Sequence, residues 1–138
     1  MMPSFGARSQ TNLNTCDPEL IRLLNEAIKH VDFSVIEGHR TLQKQKEYFA
    51  DGKSTLDGIH KKSKHQSMPS RAADLLPYPA ELHGVNIWDD KIRFALFCGI
   101  IKGIALEMGI PIRLGVDWDG DLSTRNNKLI DYPHVELV

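Results

Sequence analysis

SKHQSMPSRAADLLPYP, residues 63–79, runs from a polar, histidine-bearing stretch without helical or alternating period into a short apolar segment that two prolines close. The apolar residues at 72–76 predict a strand, because Pro77 and Pro79 cannot extend a hydrogen-bonded ladder and mark its end. Within that strand Asp74 stands between Ala73 and Leu75. A carboxylate in an apolar setting requires a compensating partner. The stretch therefore reads either as a surface loop or as one flank of a metal site.

Working outward, the downstream sequence predicts a helix that begins near Asp89 and Asp90 and continues through IRFALFCGIIKGIALEMG, residues 92–109, the most apolar part of the chain. We expect this to be the central core helix. PIRLGVDW (111–118) and YPHVELV (132–138) read as strands separated by the polar loop DGDLSTRNNKL (119–129). Upstream, Asp17 can cap a helix that Pro18 opens, and Leu20, Leu23, Leu24, Ala27 and Ile28 recur at helical spacing up to His30. DFSVIEG (32–38) alternates like a short strand with a bend at Gly38, and Thr41 can cap LQKQKEYFA (42–50), which stops at Asp51 and Gly52. Residues 53–70 look irregular. Helices and strands mix without a repeated βαβ period, which predicts an α+β fold over residues 1–138: one small domain with a mainly antiparallel sheet and about three helices.

The chain has 138 residues, 41% of them hydrophobic and 25% charged, as expected of a folded globular domain. A formal net charge of −1 gives no general attraction to nucleic acid or anionic lipid. HKKSKH (60–65), the one basic run, reads as a solvated loop. Cys16 and Cys98 lack metal-type spacing, and Cys98 falls in an apolar helical run where a thiol acts as a small hydrophobe. The first fifteen residues lack a signal-peptide apolar core, and no segment holds the roughly 18–20 apolar residues of a membrane span. We expect a monomer folded in a reducing cytoplasm, without nucleic-acid partner or membrane anchor.

A catalytic zinc site commonly takes three histidine or carboxylate ligands and leaves a fourth position for water. His65, Asp74 and His134 can supply that set if a sheet brings them together. In DYPH, residues 131–134, Asp131 lies three residues before His134 across a Pro-containing turn. It can serve as general base toward an attacking water, or simply cap the turn.

SKH followed by AAD, with EGHRT upstream and DYPHVELV at the C-terminus, resembles the zinc D-Ala-D-Ala carboxypeptidase and L-alanyl-D-glutamate peptidase family, and GVDWDGD resembles the Trp-containing loop of its phage endolysin branch. The resemblance spans almost the whole chain. It implies zinc bound by His65, Asp74 and His134, Asp131 as catalytic base, Arg40 as the cation that polarises the scissile carbonyl or steadies the oxyanion, and Ser63 as a residue that orients the metal loop. Trp118 can wall the substrate cleft or merely pack. The sequence departs from the family pattern between His65 and Asp74, where two residues are added and Ser70 stands nearest the place of the motif glycine. A bulge around Met68 and Pro69 can absorb them, since loop length costs little. Asp117, Asp119 and Asp121 alternate like the first half of a calcium loop, but the glycine is misplaced and the distal glutamate absent, so calcium is left unassigned.

The resemblance implies a zinc-dependent hydrolase of the peptidoglycan stem peptide, foremost an L-alanyl-D-glutamate endopeptidase that acts as a phage endolysin. It would be made in the host cytoplasm and reach the wall through another protein such as a holin. The alternatives are a D-alanyl-D-alanine carboxypeptidase or dipeptidase and, from a different class, a non-catalytic zinc-stabilised cell-wall-binding domain.

Overall fold

The protein is described from a computed structural model covering residues 2–125, 127 and 129–138. Met1 in the N-terminal reading, and positions 126 and 128 in the polar-loop reading, lie outside the described residues. Helix α2 (Pro18–Ala27) starts as its sequence directs: the Asp17 side chain accepts from the Glu19 amide, and Pro18 occupies the first turn. Its stripe of Leu20, Leu23, Leu24 and Ala27 is fully buried, each large side chain contributing roughly 1.5–3 kcal/mol. Thr41 accepts from the Lys44 amide to cap α3 (Leu42–Ala50). Asp90 caps α4 (Lys91–Met108), which ends at Gly109 in the left-handed region.

A fourth helix, α1 (Ala7–Leu13), lies in a stretch without a helical sequence signal. No side chain caps it. Tertiary contacts hold it instead: Leu13 is fully buried, Asn12 Nδ2 donates to the Val35 carbonyl, and the Val35 amide donates to Ser9 Oγ. The hairpin of β3 (Glu81–Leu82) and β4 (Val85–Asn86) was likewise not expected, since all four residues are exposed and carry no buried alternation.

The main sheet has the order β1-β2-β6-β5, all pairs antiparallel, with β1 (Phe33–Glu37), β2 (Ala72–Pro77), β5 (Ile112–Leu114) and β6 (His134–Leu137). One face carries Val35, Ala73, Leu75, Val135, Leu137, Ile112 and Leu114 into a single core with α1, α2 and α4. The expectation of a central core helix is corrected here. α4 buries Phe94, Phe97, Cys98, Ile101 and Ala105, but Ile92 is 78% and Leu96 68% exposed. A domain of this size places one helical layer on the core face, so only one stripe of the helix has something to pack against.

The opposite face is polar, because strand side chains alternate. Asp74 pairs with His134 on one side and with Glu37 on the other, so three strands set these residues in one row. Glu37 joins that row through a bulge. The register shifts between Val35 and Glu37, where unbroken alternation would leave Glu37 on the core face with Phe33 and Val35. The next row is Ala72, Glu136 and Arg113.

Candidate metal centre

His134 opens β6 directly after the turn that Asp131 begins. Gly115 fastens that turn: its amide donates to the His134 carbonyl at 2.8 Å and its carbonyl accepts from the Asp131 amide at 2.9 Å. A side chain at Gly115 would place Cβ 2.1 Å from the Asp131 carbonyl oxygen, so the close approach requires glycine. PIRLGVDW accordingly stops being a strand at Leu114. His65 arrives from a one-turn 3-10 helix at Lys64–Gln66. Ser63 starts that helix, its Oγ accepting from the His65 amide while Gln66 accepts from the Ser63 amide. The basic run at 60–65 is thus exposed only in its first half, and His65 is almost completely buried.

His65 Nε2 lies 3.2 Å and His134 Nδ1 3.5 Å from the same Asp74 oxygen, Oδ1. Donors on a tetrahedron with zinc bonds of about 2.0–2.1 Å stand about 3.3 Å apart, so both edges match a zinc-sized sphere. His65 Nε2 and Asp74 Oδ1 are buried without a hydrogen-bond partner among the described residues. Orphaned polar atoms of this kind are costly unless something binds them. The outer nitrogens are satisfied: His65 Nδ1 lies 2.7 Å from the Gly38 carbonyl and His134 Nε2 2.8 Å from Glu136 Oε1. Gly38 fits there because a Cβ would meet the Asn12 carbonyl oxygen of α1 at 2.4 Å.

Asp131 Oδ2 is 3.9 Å from His134 Nδ1, and its side chain is 45% exposed. The cluster therefore opens toward Asp131. Trp118 stands next to His134, its ring 5.2 Å from the imidazole and its Nε1 donating to the Leu129 carbonyl. Arg40 is buried and held by Glu37 Oε1, which accepts from both Nε and Nη2, and by Gln45 Oε1, which accepts from Nη1. Its Nη2 lies 3.9 Å from Asp74 Oδ2. Tyr48 donates to Glu37 Oε2, and the Arg40 guanidinium sits 4.5 Å over the Tyr48 ring. Between His65 and Asp74, Met68 is exposed, while buried Ser70 is tied to the α1–α2 junction through the Thr15 carbonyl and Asp17 amide. Asp117, Asp119 and Asp121 also draw together, each offering an oxygen within 4.8 Å of the others.

Glu37, Gln45, Tyr48 and Glu136 were not singled out from the sequence. Glu136 offered only its spacing, two residues after His134 on the same strand face. Glu37 offered none, because its bulge reverses the side that alternation assigns. Cys16 and Cys98 are free and buried, and burial pushes their thiols up to about 11 and about 12, respectively.

Burial alone would lower the His134 pKa, but the Asp74 carboxylate beside Nδ1 and the hydrogen bond to Glu136 outweigh it and raise the imidazole to about 9 when no metal is bound. Burial likewise opposes ionisation of Asp74, but His134 and His65 hold it well below the usual carboxylate range. Loss of hydration, followed by the Asp74 charge, raises Asp131 from its ordinary value.

The metal-free chain should therefore show a characteristic stability profile. Raised His134 contributes stability that is full below its unfolded value of 6.5 and lost as pH rises through about 9. Depressed Asp74 contributes above about pH 4 and loses its contribution on acidification. Urea unfolding with excess chelator should show a decline of up to about 3 kcal/mol from this pair between about pH 6.5 and 9. With zinc the trend should reverse, because protons compete for Nδ1. Metal-free stability that rises across the interval would contradict the His134–Asp74 pairing.

Comparison with known proteins finds relatives of the chain. The model of the family described as phage L-alanyl-D-glutamate peptidase matches residues 1–138. The chain is 32% identical over 139 residues to the L-alanyl-D-glutamate peptidase of Escherichia phage T5, covering 97% of each chain. Its fold matches the crystal structure of the Serratia marcescens L-Ala D-Glu endopeptidase ChiX with a TM-score of 0.74 and 30% identity, covering 98% of this chain and 90% of that one.

Proposed function

The chain belongs to the phage L-alanyl-D-glutamate peptidase family, and from that premise we propose that it is a zinc endopeptidase that cuts the L-Ala–D-Glu bond of the bacterial peptidoglycan stem peptide. It acts as an endolysin during host lysis. The carrying observation is the buried, unpartnered pair His65 Nε2 and Asp74 Oδ1, which His134 Nδ1 completes to a three-donor set of zinc-like spacing.

His65, Asp74 and His134 hold the metal, and residues 1–138 form one catalytic unit. When bound, zinc supplies Lewis acidity, polarising the scissile carbonyl and lowering the pKa of the attacking water. Asp131, at the open side, takes the proton from that water and returns it to the leaving amine. Arg40 retains one N–H on each Nη beyond those given to Glu37 and Gln45, and its fixed charge steadies the developing oxyanion. Ser63 orients His65, and Trp118 walls the cleft. Among the described residues no helix is long and apolar enough to cross a membrane. Passage to the wall then depends on another protein such as a holin, and the enzyme works as a monomer.

Mass spectrometry of muropeptides from purified sacculi tests this reading. Digestion should yield stem fragments that end at L-Ala and complementary peptides that begin with D-Glu, and chelation should abolish both. Loss of only a terminal D-Ala would instead assign a carboxypeptidase. Binding to sacculi without any new fragment would leave a non-catalytic wall-binding domain.

A further inference from the structure

We propose that Glu136 is a positioning residue of the metal centre: it fixes the His134 ring with Nδ1 turned toward the metal and clamps together the two chain segments that bring the histidines. This rests on the zinc reading of His65, Asp74 and His134. Glu136 is buried in β6, where a carboxylate persists only with partners. Its two oxygens divide the work. Oε1 lies 2.8 Å from His134 Nε2, whereas Oε2 lies 3.2 Å from Lys64 Nζ and 3.5 Å from Arg113 Nη1.

Two cations at Oε2 hold the carboxylate in place, and this leaves Oε1 to accept the Nε2 hydrogen. An imidazole that donates from Nε2 keeps the Nδ1 lone pair free for a metal, and a carboxylate partner raises its basicity. Position follows from the strand: His134 and Glu136 are two residues apart and share a face, and Arg113 is the cross-strand neighbour of Glu136.

Lys64 extends the effect to the other flank. It immediately precedes His65, and its Nζ also donates to the Leu137 carbonyl at 2.6 Å. One ion-pair cluster therefore spans the 3-10 helix that carries His65 and the strand that carries His134. The outer nitrogen of His65 has a backbone carbonyl as its acceptor. The outer nitrogen of His134 depends on a side chain that mutation can remove.

The test compares wild type, Glu136→Leu, Glu136→Gln and His134→Ala in zinc affinity, by chelator competition, and in the NMR resonance of the His134 Nε2 proton in the zinc-loaded chain. Glu136→Leu should weaken zinc about 10–100-fold and lose the protected Nε2 proton signal. Glu136→Gln keeps a neutral acceptor, so it should lose less affinity and retain a shifted signal. Folded Glu136→Leu that binds zinc within about twofold of wild type would overturn the proposal. Should Glu136→Leu fail to fold, Glu136→Gln decides: unchanged affinity with an unmoved resonance overturns it, and weaker binding with a shifted resonance supports it. Failure of wild type to bind zinc, or binding by His134→Ala as tight as wild type, would instead remove the metal assignment beneath it.

Discussion

Asp131→Asn should lower kcat on stem peptide by about 10²–10⁴-fold while zinc affinity stays within a few-fold of wild type. The two readouts separate because Asp131 lies outside the close donor set. Its Oδ2 is 3.9 Å from His134 Nδ1, whereas the Asp74 oxygen is 3.2 and 3.5 Å from the two imidazole nitrogens. Nor does the turn depend on the carboxylate, since backbone groups of Asp131 bond Gly115 and His134. Asparagine is nearly isosteric and cannot accept the proton. Steady-state kinetics with chelator competition checks both halves. Full turnover with zinc retained would remove Asp131 as the base, and a parallel loss of zinc would make it a ligand.

Arg40→Lys should lower kcat by about 10²–10³-fold with little change in KM. Stabilisation of charge that exists only in the transition state appears in kcat, whereas uniform substrate binding appears in KM. Lysine is the informative replacement because it keeps a cation beside buried Glu37. A neutral residue would leave that carboxylate without its principal partner, and breaking a buried ion pair in this way costs about 3–5 kcal/mol. What lysine cannot reproduce is the planar fork that meets Glu37 and Gln45 at once. Unfolding and zinc titrations should show a folded, metal-competent variant. Intact kcat with lowered stability would make Arg40 a structural residue.

Much of the architecture was legible from local chemistry. Asp17, Thr41 and Asp90 each accept a backbone amide at the helix start that their sequence positions suggest. The strand at 72–77 was signalled by an apolar run closed by prolines, and its one discordant residue, Asp74, is where the two imidazoles meet. α1 was not legible because it lacks a cap and a strong apolar stripe, and long-range bonds to β1 hold it. The exposed apolar side of α4 was not legible either, since composition reports how apolar a segment is and not how many of its faces find a neighbour.

The sequence by itself determined the ingredients of this protein: capped helices, alternating strands, and the histidines and aspartates that suit a divalent ion. These follow from interactions within a few residues, which periodicity and capping chemistry express directly. Only the tertiary structure decided how they meet. A bulge in β1 turns Glu37 from the core side to the row of Asp74 and His134, and cross-strand register sets Arg113 against Glu136. Register and bulges arise from pairing between strands distant in the chain, and one residue of slip exchanges the two faces of a strand.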